Sequence, residues 1–307
     1  MKSAVITGGT GMLGLALVRH LISKNIKVLM IIRPDSKKAN NIPKSPLVST
    51  IECDLKELTN APIPEGEKYD AFFHFGWEGT YGDARNDMHL QNKNIQNTID
   101  AVYLANKLGC SVFLGAGSQA EYGRVADGVK ISPTLPTFPE NGYGIAKLCA
   151  GQMSRIECKK LNIRHIWVRI LSTYGPFDGS QTMVMSGIIK MLNGERPQYT
   201  KGEQMWDYLY CDDAANAFYC AAEKGIDGSV YCIGSGNVRP LKEYITIIRD
   251  MVNPAQEIGF GEVPYFDKQV MYLCADIEPL TRDTGFVPTV SFEEGIKRTV
   301  EWYKSRL

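Results

Sequence analysis

From the first residues to about residue 172 the chain alternates between short apolar runs and stretches with helical spacing. Residues 3–7, Ser-Ala-Val-Ile-Thr, predict a short buried strand. Over 12–24, Leu13, Leu17 and Leu21 recur at helical intervals with Val18 and Ile22 beside them, which predicts a helix that Asn25 ends. Residues 26–32 are a nearly continuous apolar run of strand length, completing a β-α-β unit of the kind that builds parallel sheets. The alternation continues with strands at 50–53 and 71–75, then a helix at 92–108 carrying Ile95, Ile99, Val102 and Leu108 near one face. A strand at 111–114, a helix at 143–161 and a strand at 163–171 follow, the last with Ile166, Val168 and Ile170 at alternate positions. Repeated strand–helix alternation predicts an α/β fold of Rossmann type, a doubly wound parallel sheet with helices on both faces.

After residue 172 turns and short elements dominate. Residues 228–234 read as a strand returning to the main sheet, and 263–266 and 270–273 as short strands. A helix is expected over 291–306, where Ser-Phe-Glu-Glu resembles a capping box. The expected division is a dinucleotide-binding domain of residues 1–172 plus about 206–234, and a smaller discontinuous lobe of 173–205 and 235–307. At roughly 150 residues per domain, 307 residues suit this division.

Composition excludes more than it selects. Lysine plus arginine and aspartate plus glutamate are 34 each, so zero net charge gives no electrostatic case for nucleic acid or a membrane surface as a partner. No stretch reaches the length of an apolar membrane span, and the N-terminus enters a strand without a signal-peptide pattern. The eight cysteines form no CxxC, and the four histidines show no metal-binding spacing. Free thiols in a cytoplasmic protein without a metal are expected.

The first candidate site is the turn between the first strand and helix. Thr7, Gly8, Gly9, Thr10, Gly11, Met12, Leu13 and Gly14 place glycines at 8, 11 and 14, a GxxGxxG spacing. Gly8 would allow a tight turn, Gly11 a close approach of pyrophosphate, and Gly14 close packing of helix on strand. The phosphates would sit at the helix N-terminus, where unpaired N–H groups and the helix dipole favour negative charge. An NAD site wants a carboxylate at the end of the second strand. Here that strand runs into Arg33, which suits a 2′-phosphate and favours NADP(H); the alternative is a solvated Arg33 with Asp35 or Ser36 filling the pocket and NAD(H) bound. Asp54, with Leu55 beside it, follows the third strand and would accept from the adenine amino group.

The second is Tyr143-Gly-Ile-Ala-Lys147. On a helix residues i and i+4 share a face, so phenol and ammonium can share a site. The ammonium would lower the tyrosine pKa toward neutrality and make Tyr143 a usable acid or base. Upstream, a strand ending in Gly115-Ala-Gly-Ser118 sets a hydroxyl where ligands of open α/β sheets bind.

These segments, TGGTGMLG, GSQAEYG, YGIAK and RILSTYGP in this order, resemble the extended short-chain dehydrogenase/reductase family, and WDYLYCDDAANA and FVPTVSFEEGIKRTVEWY extend the likeness over essentially the whole chain. The resemblance implies a nucleotide-diphosphate sugar as substrate, Tyr143 as acid/base, Ser118 as the hydroxyl that polarises the sugar carbonyl, and Lys147 as the residue that holds the nicotinamide ribose and tunes Tyr143. It further implies that the segment from His74 through Phe75, Gly76 and Trp77 lines the dinucleotide, that Asn94 is a structural or relay residue, and that Leu171 to Thr173 pass the nicotinamide. A homodimer through a helix pair is expected only because relatives commonly form one.

The family's 4,6-dehydratases carry an acid pair in a pattern like TDEVYG. The corresponding positions hold Gln119 and Ala120, and Glu121 stands one place late, so dehydration is not expected. A 4-epimerase and a 4-reductase share nearly all residues. Arg33 points to a consumed NADPH, and GSQAEYG and HFGWEGT resemble 4-keto-6-deoxy-sugar reductases such as CDP-abequose or paratose synthases. A reductase is therefore expected, an NAD-dependent epimerase is the alternative, and a non-catalytic dinucleotide sensor is the reading from another class. At the substrate end Trp77, Glu78, Thr80 and Gln119 would flank the sugar, and Thr182, Met183 and Val184 would lie along the nucleotide. Relatives commonly have an arginine before the Asp-Tyr pair; here Trp206 precedes Asp207, either stacking on a base or packing between lobes. Arg239 is the remaining candidate for the diphosphate, or else a surface arginine. Asp212 and Asp213 are expected to cap the next helix.

Overall fold

The computed structural model describes residues 1–63, 66–267 and 269–306. In chain order the first half comprises β1 (Ser3–Thr7), α1 (Met12–Ser23), β2 (Lys27–Ile32), β3 (Val48–Glu52), β4 (Ala71–His74), α2 (Met88–Lys107), β5 (Val112–Ser118), α3 (Gly142–Lys160) and β6 (Arg164–Ile170). The second half comprises β7 (Ser172–Tyr174), α4 (Met183–Leu192), β8 (Gln198–Tyr199), β9 (Met205–Trp206), β10 (Tyr208–Tyr210), α5 (Cys211–Lys224), β11 (Val230–Ile233), β12 (Arg239–Pro240), α6 (Leu241–Val252), β13 (Gly259–Phe260), β14 (Tyr272–Leu273), α7 (Glu278–Thr284) and α8 (Phe292–Lys304).

Seven strands form one sheet in the order β11-β6-β5-β4-β1-β2-β3, and all their pairings are parallel. The expected doubly wound α/β fold is what the chain adopts. Successive strand residues point to opposite faces. Ile6, Met30, Phe73 and Leu114 pack with α1 and α5 on one face, and Val5, Leu29, Phe72 and Phe113 pack with α2 and α3 on the other. Burial on both faces explains why these strands read as continuous apolar runs. The return of β11 beside β6 agrees with the reading of 228–234.

Two local readings differ from the fold. Helix α2 begins at Met88, four residues early, because Asp87 caps it by accepting from His89 N (3.1 Å) and Leu90 N (3.0 Å). Its first turns escaped the hydrophobic pattern because the residues it buries there are Gln91 and Asn94. Strand β5 runs past the 111–114 apolar segment to Ser118, in agreement with a strand ending in Gly115-Ala-Gly-Ser118. A Cβ at Gly115 or Gly117 would collide with the indole of Trp167 on β6, so bulk on the neighbouring strand demands them. Residues 263–266 form no strand, and the expected strand at 270–273 shortens to Tyr272–Leu273, paired with β9.

Asp212 and Asp213 do not cap α5, which starts at Cys211 after Tyr210. Asp213 instead accepts from Thr289 N, Thr289 Oγ1 and Val290 N, tethering the segment that leads into α8, and Asp212 pairs with Arg19 at 3.3 Å. Ser291 caps α8 through Glu294 N. Among the described residues no helix is long and apolar enough to cross a membrane.

Candidate active site

From β1 the chain steps outward to β2 and β3 on one side and to β4, β5 and β6 on the other. The crevice at the carboxyl ends of β1 and β4 is thus the topological switch point, where open α/β sheets bind ligands. A cleft of about 1020 Å³ opens there. Gly8 has φ +70°, and a Cβ on it would lie 2.6 Å from Gly76 N across the switch point. A Cβ on Gly14 would lie 2.5 Å from Gly8 O and 2.6 Å from Gly9 Cα, so only glycine lets α1 pack this close to the loop. Gly11 meets nothing nearer than Gly8 O at 3.6 Å and caps α1 with no side chain, leaving the first N–H groups of the helix uncapped. This cradle fits a pyrophosphate, and Thr10, Gly11, Met12, Leu13 and Gly14 would hold it.

The end of the cleft beside β2 and β3 is lined by Arg33, Asp35, Ser36, Lys37, Lys38, Asp54 and Leu55. Asp54 also caps a short turn through Lys56 N (3.1 Å). Thr7 and Gly9 do not line the cleft. Thr7 lies beneath it, its Oγ1 2.8 Å from His74 Nδ1 and accepting from Gly76 N, and Gly9 packs inward on Met30. Phe75, Gly76, Trp77, Glu78 and Thr80 form the middle wall. Asn94 stands behind that wall and clamps Glu78, its side chain accepting from Glu78 N (3.0 Å) and donating to Glu78 O (2.9 Å).

At the far end Ser118, Tyr143 and Lys147 converge, from the tip of β5 and the first turns of α3. Asn141 starts α3 by accepting from Gly144 N (2.8 Å). The Ser118 hydroxyl and the Tyr143 phenol line the same end of the cleft, and Ser118 favours ionisation of the phenol. Lys147 is buried, donates to Ala116 O (2.6 Å), and holds its ammonium 3.6 Å from the centre of the Trp77 ring. Burial lowers its pKa to about 7, against the pull of Glu121. The expected lowering of the Tyr143 pKa by Lys147 is not what the site does. Burial raises the phenol, and the opposing influences are the Ser118 hydroxyl and the guanidinium of Arg85. The reason is geometric: the Lys147 ammonium is turned to Ala116 and Trp77, 5.8 Å from the Tyr143 ring centre.

Leu171, Thr173, Thr182 and Trp206 line the remaining wall, with Trp206 donating to Ser172 Oγ (2.8 Å). Gln119, Met183, Val184 and Arg239 do not line the cleft. Val184 is buried in the core, and Arg239 pairs with Glu293 at 2.6 Å, so its fork is already engaged away from the site.

The scan against family models matches residues 4–234 to "Epimerase: NAD dependent epimerase/dehydratase family". The chain belongs to the NAD dependent epimerase/dehydratase family. Its similarity reaches dTDP-glucose 4,6-dehydratase of Salmonella typhimurium, 26% identical over 338 residues covering 97% of this chain and 92% of that one. Among solved structures it resembles RMD from Pseudomonas aeruginosa complexed with NADPH, with a TM-score of 0.85, 20% identity and full coverage of both chains. It also resembles UDP-N-acetylglucosamine 4-epimerase from Methanobrevibacter ruminantium, with a TM-score of 0.88, 22% identity and coverage of 100% and 99%. The chain shares its fold with both solved structures.

Some features of the site escaped the sequence reading. Glu121 is fully buried beneath β5, where it accepts from Ser118 N (2.9 Å), Trp167 Nε1 (3.0 Å) and Arg169 Nε (2.6 Å), while Arg169 also donates to Tyr122 Oη (2.8 Å). It is the acid of a capping box begun by Ser118, and the Ser-x-x-Glu spacing was the signal for it. Gln91 ties the loop after β4 together, donating to Gly79 O and Ala84 O and accepting from Trp77 Nε1, each at 2.9 Å. Asp178 lines the cleft with a carboxyl raised by burial to about 6, held by Gly179 N and Thr182 Oγ1. Neither residue had a local signal.

Proposed function

We propose that the protein reduces the 4-keto group of a nucleotide-diphosphate 4-keto-6-deoxyhexose, with NADPH as the consumed cofactor and Tyr143 as general acid. The observation that carries this reading is a half-buried phenol on the wall of the cleft, beside the Ser118 hydroxyl, whose pKa is raised by desolvation so that it keeps its proton. A proton donor is what carbonyl reduction requires of the protein. The bound cofactor supplies hydride to carbon 4. Ser118 would orient the carbonyl oxygen and polarise it, Tyr143 would pass its proton to that oxygen, and the C=O bond would become a secondary alcohol. Lys147 and Ser118 would then face the phenolate left on Tyr143 until solvent reprotonates it.

Three cations at the end of the cleft beside β2 and β3, Arg33, Lys37 and Lys38, support NADPH over NADH. The turn after β5 argues against dehydration. Ala120 is apolar, Gln119 does not line the cleft, and Glu121 is engaged beneath the sheet, so this turn presents no acid pair to the cleft. Residues 1–172 with about 206–234 would hold the cofactor, and the rest the nucleotide sugar, with Trp206 and Thr182 on its side of the cleft. An NAD-dependent 4-epimerase is the second reading, favoured by Asp35, which shares the rim with Arg33 and could accept from a free ribose hydroxyl.

A panel of nucleotide sugars with NADPH and NADH, with product identification, tests the proposal. Net NADPH oxidation with a 4-keto-6-deoxy sugar is expected. Interconversion of 4-epimers without net oxidation would replace it with the second reading, and release of a 4-keto product from a 4-hydroxy sugar would overturn both. Arg33→Ala is expected to raise the KM for NADPH by about tenfold or more and to leave that for NADH nearly unchanged, since a charge-assisted hydrogen bond contributes about 1.5–3 kcal/mol. Equal effects on the two cofactors would remove Arg33 from the 2′-phosphate site.

A further inference from the structure

We propose that Arg85 is a positioning residue for the Tyr143 phenol, the permanent cation that keeps this acid able to give up its proton. The inference rests on the reading of Tyr143 as the proton donor. The Arg85 guanidinium carbon lies 4.4 Å from the centre of the Tyr143 ring, within cation–π range, and the side chain lines the same cleft. One of its nitrogens donates to Thr80 O at 3.2 Å. Arg85 takes part in none of the ion pairs found among the described residues, so no carboxylate there offsets its charge.

The placement is built in. The short turn that carries Arg85, Gly82–Asn86, is docked on the start of α3. Asn86 Oδ1 accepts from Gly142 N (3.0 Å), and a Cβ on Gly142 would lie 3.0 Å from Arg85 O. Gln91 anchors the same turn through Ala84 O. Arg85 and Tyr143 are thus fixed to each other through backbone contacts between two elements distant in sequence.

The groups around the phenol leave this role open. Ser118 reaches it from β5 with a neutral hydroxyl, and Tyr81 faces it from the loop after β4. Glu121, from the turn after β5, opposes its ionisation, and Asp178 acts on Tyr81. Lys147, on the same helix, is held at Ala116 O and Trp77, with its ammonium 5.8 Å from the phenol's ring centre. A guanidinium stays charged at any pH the fold survives. Of the two cations about the ring Arg85 is the nearer to its centre, at 4.4 Å against 5.8 Å for Lys147, and both face the phenolate that proton transfer leaves.

The test compares wild type with Arg85→Gln, which keeps length and polarity, and Arg85→Lys, which keeps charge. The first readout needs no turnover. In protein with ¹³C-labelled tyrosine rings and oxidised cofactor bound, the Tyr143 signal is identified as the one lost in Tyr143→Phe and followed against pH. Arg85→Gln is expected to weaken the phenol's acidity at least about tenfold, as loss of an opposite charge at this distance does, and Arg85→Lys to recover most of it. In turnover, kcat should fall by a similar factor in Arg85→Gln with little change in KM for the nucleotide sugar, and the alkaline limb of the rate profile should move to higher pH. Ionisation of Tyr143 in Arg85→Gln at the wild-type pH would overturn the proposal. So would a rise in KM with kcat and pH profile unchanged, which would make Arg85 a substrate ligand. Normal titration shifts with no sugar turned over would leave the Arg85–Tyr143 coupling standing and fail the reductase reading instead.

Discussion

Tyr143→Phe should lose a factor of about 10² to 10⁴ in turnover, the range that a positioned acid or base contributes, while still binding the cofactor. The change removes one oxygen and leaves the ring. The ring's contacts include the edge-on packing against Trp77, with centres 6.1 Å apart, and the guanidinium of Arg85. Neither needs the hydroxyl, so α3 and the cleft should keep their shape. What goes is the proton that, on the proposed mechanism, the carbonyl oxygen receives. Steady-state rates beside cofactor titration by fluorescence separate the two effects. Full activity in this variant would end the acid assignment and, with it, both the reductase and the epimerase readings.

The second large effect lies beneath the site. Arg169→Met should destabilise the fold by about 3–5 kcal/mol, the cost of leaving one member of a buried ion pair without its partner. Glu121 is entirely enclosed, and its remaining donors would be one backbone N–H and one indole. Against a net stability of about 5–15 kcal/mol, that loss is large enough to read directly from urea midpoints. The paired replacement Glu121→Leu with Arg169→Met removes both charges and should recover much of the stability, because a buried pair and a packed apolar pair are often close in energy. Turnover should not recover with it, since Ser118 N would still lack the acceptor that fixes the end of β5. An Arg169→Met protein as stable as wild type would show that the carboxylate finds solvent or another donor, and the clamp on Ser118 would lose its support.

The local code of the chain accounts for the frame of this molecule. Strand–helix alternation determined the parallel sheet, and glycines 8, 11 and 14 determined a turn with space for a ligand, because period two, period 3.6 and a left-handed φ are properties of neighbours. The spacing of Tyr143 and Lys147 likewise put both on one face of α3. Tertiary structure decided what surrounds them. Glu121 meets Arg169 across 48 positions, and Arg85 reaches Tyr143 from another loop, so no local pattern could pair them. Arg239 had the right chemistry for a diphosphate, yet the fold turned it to Glu293. Lys147 had the right spacing to acidify the phenol, yet desolvation of the phenol itself raises its pKa, and the ammonium lies closer to Trp77 than to the Tyr143 ring. Sequence determined which groups could meet; the field at the phenol was decided by packing, since charge acts through distance and burial, and both exist only once the chain is folded.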